Sequence, residues 1–155
     1  MDLKKFIRSI PDYPKKGILF RDITTLIKDE KAFEETINQI VERSKKFEFN
    51  KIAAIESRGF VFASAVSYIL KKPFIMLRKK NKLPSDTHSV DFELEYGTAT
   101  IEVHKDSINK NDKVLIIDDL IATGGTAEAA AKLVKISDGN VAAFVFVINL
   151  FDLGG

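Results

Sequence analysis

Four short runs of nearly unbroken apolar residues recur along this chain: KIAAI (residues 51–55), PFIML (73–77), VLIID (114–118) and VAAFVFVINL (141–150). A strand that alternates apolar and polar residues buries one face, whereas a strand apolar throughout must be covered on both. Stretches with helical apolar spacing lie among these runs. Buried strands joined by amphipathic helices restrict the chain to the α/β class, a mostly parallel sheet flanked by helices. Its 155 residues suit one domain, 1–155, with a single core.

The remaining elements follow from local signals. MDLKKFIRSI reads as a short amphipathic helix ended by Pro11 and Pro14, and GILF (17–20) looks extended. Asp29 is the natural cap of a helix through KAFEETINQIVERSKKF, where Phe33, Ile37, Ile40 and Val41 share a face. ESRG leads from the first buried strand into GFVFASAVSYIL, which KKP at 71–73 breaks. After the polar run RKKNKLPSDTHS, Phe92, Leu94 and Tyr96 alternate on one face, and a β-hairpin is predicted to turn near Tyr96 and Gly97. GTAEAAAKLVKI is the third of the main helices, stopped by Asp138 and Gly139.

Composition excludes several chemistries. There is no cysteine, so thiolate catalysis and disulfides are absent, and His88 and His104 have no metal-ligand spacing around them. A formal net charge of +2 gives no overall attraction for nucleic acid. No apolar run approaches the roughly 18 residues of a membrane span, and the first segment lacks the apolar core and cleavage site of a signal peptide. The expectation is a cytoplasmic protein with no nucleic-acid or membrane partner.

The chemistry is concentrated in VLIIDDLIATGGT. A buried strand runs into Asp118 and Asp119, and Thr123, Gly124, Gly125 and Thr126 lead into a helix. In a parallel sheet, ligands bind beyond the carboxyl ends of the strands. Glycines let the backbone approach a ligand closely, so that amides at a helix N-terminus converge on a phosphate. Two carboxylates would repel a bare phosphate, but they suit a vicinal diol, each accepting from a sugar hydroxyl. One loop that grips both hydroxyls and phosphate describes a phosphorylated ribose. No lysine follows the second glycine as in a P-loop, and G-x-G-x-x-G is absent.

This order of strand, acid pair, threonines, glycines and helix resembles the phosphoribosyl-diphosphate (PRPP) motif of the type I phosphoribosyltransferases. PDYPKKGILFRDIT (11–24), ESRGF (56–60), RKKNKLP (78–84) and LEYG (94–97) are similar, in order and spacing, to motifs of the members that act on adenine. The resemblance covers almost all of the chain. It implies that adenine and PRPP become AMP and pyrophosphate with Mg²⁺, in an enzyme of purine salvage that, as is typical of the family, is a homodimer. It also implies an N-terminal hood over 1–25 and a flexible hairpin loop over 79–103.

Residue by residue, the resemblance assigns ribose and 5′-phosphate to Asp118, Asp119, Ala122, Thr123, Gly124, Gly125 and Thr126. Pyrophosphate falls to Ser57, Arg58, Arg78, Lys79, Lys82 and Tyr96; arginine supplies a planar fork and lysine a point charge for phosphate oxygens. Adenine falls to Leu19, Phe20, Arg21 and Leu150. Glu95, Asp118 and Asp119 are the candidate catalytic groups, with Glu95 handling a proton and the aspartates favouring an oxocarbenium-like transition state. Mg²⁺ is expected to be held mainly by substrate oxygens and water, without a dedicated protein site.

Ala54 and Ala63 stand where the family often has glycine, and Asn149 where some members carry glutamate. Two rival readings remain at this level: specificity for another purine, and a non-catalytic PRPP sensor that binds nucleic acid. The near-neutral charge and the lack of a second domain oppose the sensor.

Overall fold

The computed structural model describes residues 1–94, 97–150 and 155, apart from the Leu94 side chain. The chain forms two compact units, Met1–Ile40 and Val41–Gly155.

In the first unit, a 3-10 turn at Leu3–Phe6 precedes strand β1 (Arg8–Pro11), which pairs antiparallel with β2 (Leu19–Asp22). The expected N-terminal helix is therefore limited to one turn. So short a helix has little stability of its own, and pairing with β2 satisfies the backbone from Arg8 onward. Arg8 Nε donates to Asp22 Oδ2 at 2.9 Å. Helix α1 (Thr24–Ile27) starts on Asp22, whose Oδ1 accepts from the Thr24 hydroxyl at 2.7 Å and the Thr24 amide at 2.9 Å. Those bonds, with Arg8, hold the Asp22 carboxyl down at about 2. Helix α2 (Glu30–Ser44) has the expected cap: Asp29 Oδ1 accepts from Lys31 and Ala32 amides at 3.1 and 2.9 Å.

The second unit carries β3 (Lys51–Ile55), α3 (Arg58–Leu70), β4 (Phe74–Lys79), β5 (Thr87–Leu94), β6 (Gly97–His104), β7 (Lys113–Ile121), α4 (Gly125–Ile136) and β8 (Asn140–Asn149). Its six strands lie in the order β5-β6-β4-β3-β7-β8. The strands β4, β3, β7 and β8 are mutually parallel, and the β5–β6 hairpin joins antiparallel through Arg78 opposite Glu102.

Strand pleating sends alternate side chains to opposite faces. Ala53, Ile55, Val114 and Ile116 share a buried cluster with Ala129, Ala130, Leu133 and Val134 of α4. Ile52, Ala54, Leu115 and Ile117, the alternate residues, are equally buried, as are Phe62, Ala63 and Val66 of α3. Covering on both faces is what the continuous apolar runs demanded. Ala54 and Ala63 are fully buried, so both methyls are accommodated within that packing.

The hairpin forms, with Leu94 opposite Gly97, while Glu95 and Tyr96 lie outside the described residues. Its first strand begins at Thr87, inside the run that reads as polar loop, because Thr87 and Ser89 donate to buried Glu102. The strand β7 also outlasts VLIID: it continues through both aspartates to Ile121, since β8 pairs with it up to Ile121 opposite Asn149. At the end of α4, Asp138 takes the left-handed conformation (φ 68°) while Gly139 donates to the Val134 carbonyl.

Candidate active site

From β3 the chain crosses to β4 on one side, and from β7 it crosses to β8 on the other. The segments leaving β3 and β7 thus diverge at the carboxyl edge of adjacent strands, which opens a crevice at a topological switch point. A cleft of about 230 Å³ occupies it, lined by Ser57, Arg58, Asp118, Asp119, Ala122, Thr123, Gly124, Gly125 and Thr126, with Glu56 and Phe146. Nine residues expected at the sugar-phosphate and pyrophosphate sites therefore share one cavity.

Gly124 has φ +92° and forms the N-cap of α4, with no side chain capping the helix. The first-turn amides of a helix have no intrahelical acceptor, and the helix end carries partial positive charge. Here they face a ligand-sized cleft, so an anion is the complementary occupant. Gly125 needs no special backbone angle. A Cβ there would meet the Glu93 carbonyl oxygen at an ordinary 3.5 Å.

The floor of the cleft is acidic. Asp118 and Asp119 are nearly buried, at 9% and 5% exposure. Asp118 Oδ1 accepts from the Asp119 amide at 2.8 Å. Burial, reinforced by the neighbouring Asp119 charge, pushes the Asp118 carboxyl up to about 8, against the pull of Arg58. Arg58 Nε lies 2.9 Å from Asp119 Oδ2, an ion-pair distance. Its N–H is not aligned on that oxygen, which is buried and accepts no hydrogen bond among the described residues. A buried acceptor with no hydrogen bond beside a polar cleft suits a sugar hydroxyl or a hydrated cation that reaches it when Arg58 turns aside.

Close approach of α3 brings Arg58 to this floor. A Cβ on Gly59 would lie 2.9 Å from Asp118 Oδ1 and 3.1 Å from the Ile117 carbonyl oxygen, so only glycine lets the helix start against the end of β7. The Glu56–Ser57 peptide that precedes it is cis.

A second cleft adjoins the first, sharing Ile55, Glu56 and Thr126, and Lys79, Lys80 and Lys82 line it. Arg78 borders this region through Glu56, whose Oε1 accepts from Arg78 Nε and from the Lys79 amide, both at 3.0 Å. Burial raises the Glu56 carboxyl, but the Lys79 amide and the Arg78 guanidinium outweigh it and leave a net lowering.

The other expected residues are placed as follows. Leu150 donates its amide to the Ile121 carbonyl at 2.9 Å and does not line either cleft. Leu19, Phe20 and Arg21 belong to the first unit, where the Phe20 ring packs edge-on against Tyr13 and Arg21 Nη1 donates to Ser9 Oγ. Glu95 and Tyr96 lie outside the described residues.

Sequence reasoning passed over Glu56, Gly59 and Phe146. The first two sit inside ESRGF, where a carboxylate two residues before an arginine and a glycine at a helix start were visible signals. Phe146 gave none, being one aromatic residue in a long apolar run.

The chain is similar to known proteins in sequence and in fold. The phosphoribosyl transferase domain model matches residues 23–150. An adenine phosphoribosyltransferase from Pelagibacter ubique is 83% identical over 155 residues, which are all of this chain and 89% of that protein. The crystal structure of adenine phosphoribosyltransferase from Thermoanaerobacter pseudethanolicus superposes with a TM-score of 0.97 at 46% identity, covering 99% of this chain and 90% of that one. The Saccharomyces cerevisiae enzyme, solved with D-2,5-dideoxy-2,5-imino-altritol 1,6-bisphosphate and adenine, gives a TM-score of 0.92 at 34% identity, with coverage of 99% and 90%. The acidic floor, the glycine-capped helix and these similarities lead to one assignment: the chain belongs to the phosphoribosyl transferase domain family and, within it, to the adenine phosphoribosyltransferases, enzymes that transfer a pentosyl group.

Proposed function

We propose that the paired clefts bind PRPP and pass its phosphoribosyl group to adenine, releasing pyrophosphate and AMP. The observation that carries this reading is the union, in one cavity, of a buried carboxylate pair and the uncapped N-terminus of α4. Asp118 and Asp119 accept from the ribose hydroxyls, and the backbone amides and hydroxyls of Ala122, Thr123, Gly124, Gly125 and Thr126 hold the 5′-phosphate. Ser57, Arg58, Arg78, Lys79, Lys82 and Tyr96 are the residues assigned to the pyrophosphate.

A purine ring nitrogen of adenine attacks C1 of the ribose as the C1–O bond to pyrophosphate breaks, and both bonding electrons leave with that oxygen. The ring becomes cationic and the leaving group gains charge. The developing cation favours the ionised form of the acidic floor, which stabilises it in turn, and a cationic wall stabilises the leaving group. Glu95 accepts the proton that adenine sheds. Recognition of adenine is assigned to Leu19, Phe20, Arg21 and Leu150, through aromatic contact with the ring and backbone hydrogen bonds to its edge. Hypoxanthine reverses adenine's donor-acceptor edge and would leave those groups unpaired.

Asp119 Oδ2, which accepts no hydrogen bond among the described residues, would suit a cation carried in mainly by substrate once Arg58 turns to the diphosphate. Among the described residues no group of three or more His, Asp or Glu side chains forms a ready-made metal site. Bound Mg²⁺ would neutralise charge on the diphosphate and keep several waters of its own.

A second copy of the chain is the proposed partner, and no nucleic acid or membrane. Val61, Tyr68 and Ile69 are exposed along α3, Tyr68 at 85%, and such an apolar stripe supports association. Among the described residues no helix is long and apolar enough to cross a membrane. PRPP is too highly charged to cross one unaided, which supports work in the cytoplasm where such substrates are made.

The test is incubation with PRPP, Mg²⁺ and adenine, hypoxanthine or guanine in turn, followed by chromatography of nucleotides and measurement of pyrophosphate. AMP from adenine alone is expected. A nucleotide from another purine would replace the base assignment, and none from any would refute the reading.

A further inference from the structure

A carboxylate is an odd neighbour for a diphosphate, yet Glu56 lines both clefts. Its side chain is only 12% exposed, and its Oε1 is shared between Arg78 Nε and the Lys79 amide, each at 3.0 Å. The contact takes the guanidinium by its Nε side. Arginine has five N–H donors in a fixed planar fork, so one anchored at Nε can still present its terminal nitrogens to a second anion. The adjoining Lys79 amide fixes the backbone from which the basic run 79–82 departs. Farther along, Asn81 sits at φ 66°, and its amide donates to Glu102 Oε1 at 2.9 Å. Glu102 also takes the Ser89 hydroxyl at 2.5 Å and the Thr87 hydroxyl at 3.1 Å, which ties the run to the hairpin.

We infer that Glu56 is a positioning residue for pyrophosphate recognition: its carboxylate sets the pose of the Arg78 guanidinium and of the Lys79 backbone, and it acts on the diphosphate only through them. This rests on the phosphoribosyl-transfer reading and adds a member to that site. Left unanchored, Arg78 would spread over its rotamers and lose binding through side-chain entropy. A direct role for Glu56 on the diphosphate would be repulsive, so its removal would tighten binding. The positioning role predicts the opposite sign.

The experiment is a double-mutant cycle of Glu56→Ala and Arg78→Ala, read by steady-state kinetics and by calorimetric binding of inorganic pyrophosphate with Mg²⁺. Glu56→Ala is expected to raise the KM for PRPP about tenfold to a hundredfold, the scale of a charge-assisted hydrogen bond. The KM for adenine should stay within about twofold. Pyrophosphate binding should weaken in step. The double variant should lose much less than the product of the two single losses, because the part of the Glu56 effect that runs through Arg78 is already gone in Arg78→Ala. Glu56→Gln keeps the carbonyl acceptor and should recover most of the loss, and Glu56→Leu, which removes the acceptor while keeping the bulk, carries the cycle should Glu56→Ala fail to fold.

Multiplying effects in the double variant, tighter pyrophosphate binding by Glu56→Ala, or equal rises in both KM values would overturn the inference. Calorimetry needs no turnover. A wild-type protein that binds pyrophosphate but makes no AMP would sink the reaction assigned above while leaving the Glu56 cycle readable.

Discussion

Replacing Asp118 by asparagine should stabilise the unliganded protein while damaging its catalysis. Asp118 is nearly buried beside Asp119, and burial with the neighbouring charge raises its carboxyl from 3.8 to about 8. An acid with a raised folded-state pKa keeps its proton in the fold after the unfolded chain has released it. The wild type therefore loses stability as pH climbs from about 4, and the loss is complete above pH 8. At about 1.4 kcal/mol per pKa unit, a shift of this size has a ceiling of about 6 kcal/mol. Arg58 already offsets part of the charge, and local relaxation offsets more, so a gain on the order of 1–3 kcal/mol is expected.

Asparagine keeps an oxygen for the Asp119 amide, which now donates to Asp118 Oδ1 at 2.8 Å, so the backbone has no reason to move. The assay is urea unfolding of ligand-free wild type and Asp118→Asn at pH 5 and pH 8.5. The variant's advantage should be small at pH 5 and largest at pH 8.5, with AMP formation slowed by at least about a hundredfold if the carboxylate supports the cationic ribose. A variant no more stable than wild type at pH 8.5, or an advantage independent of pH, would refute the electrostatic reasoning whatever happened to activity.

Other substitutions probe neighbouring parts of the site. Asp119→Asn should retain the fold and slow turnover by about a hundredfold or more, as measured by initial rates; near-normal rates would remove Asp119 from the ribose. Arg58→Ala should raise the KM for PRPP about tenfold or more and adenine's little, and equal rises would take Arg58 out of the pyrophosphate site. In Gly59→Ala the new methyl would press on the Ile117 carbonyl and Asp118, so the helix-propensity gain of about 1 kcal/mol should be outweighed by overpacking of about 1–3 kcal/mol in urea unfolding. Tyr68→Glu places a charge in the exposed stripe of α3 and should shift the sedimentation coefficient toward that of a single chain; an unchanged value would relocate the proposed contact.

Period and composition determined the class of fold by themselves. KIAAI and VLIID had to become doubly covered strands because every one of their apolar side chains needed burial, and GTAEAAAKLVKI forms α4 over the very residues its pattern marks. The order acid pair, threonine, glycines, helix likewise announced a sugar-phosphate site, because the chemistry is local to one loop. Other features answered to partners distant in sequence. The first segment reads as a helix until its backbone finds β2, and THS reads as loop until its hydroxyls find Glu102. Asp118 and Asp119 look like residues beyond a strand, and only pairing with β8 carries β7 through them. The tie from Glu56 to Arg78 spans 22 positions, and the seating of Gly59 under Asp118 spans 59. Local spacing can state which groups a loop offers. Which of them meet, how deeply they are buried and how far their charges are shifted depends on the order in which the strands pack.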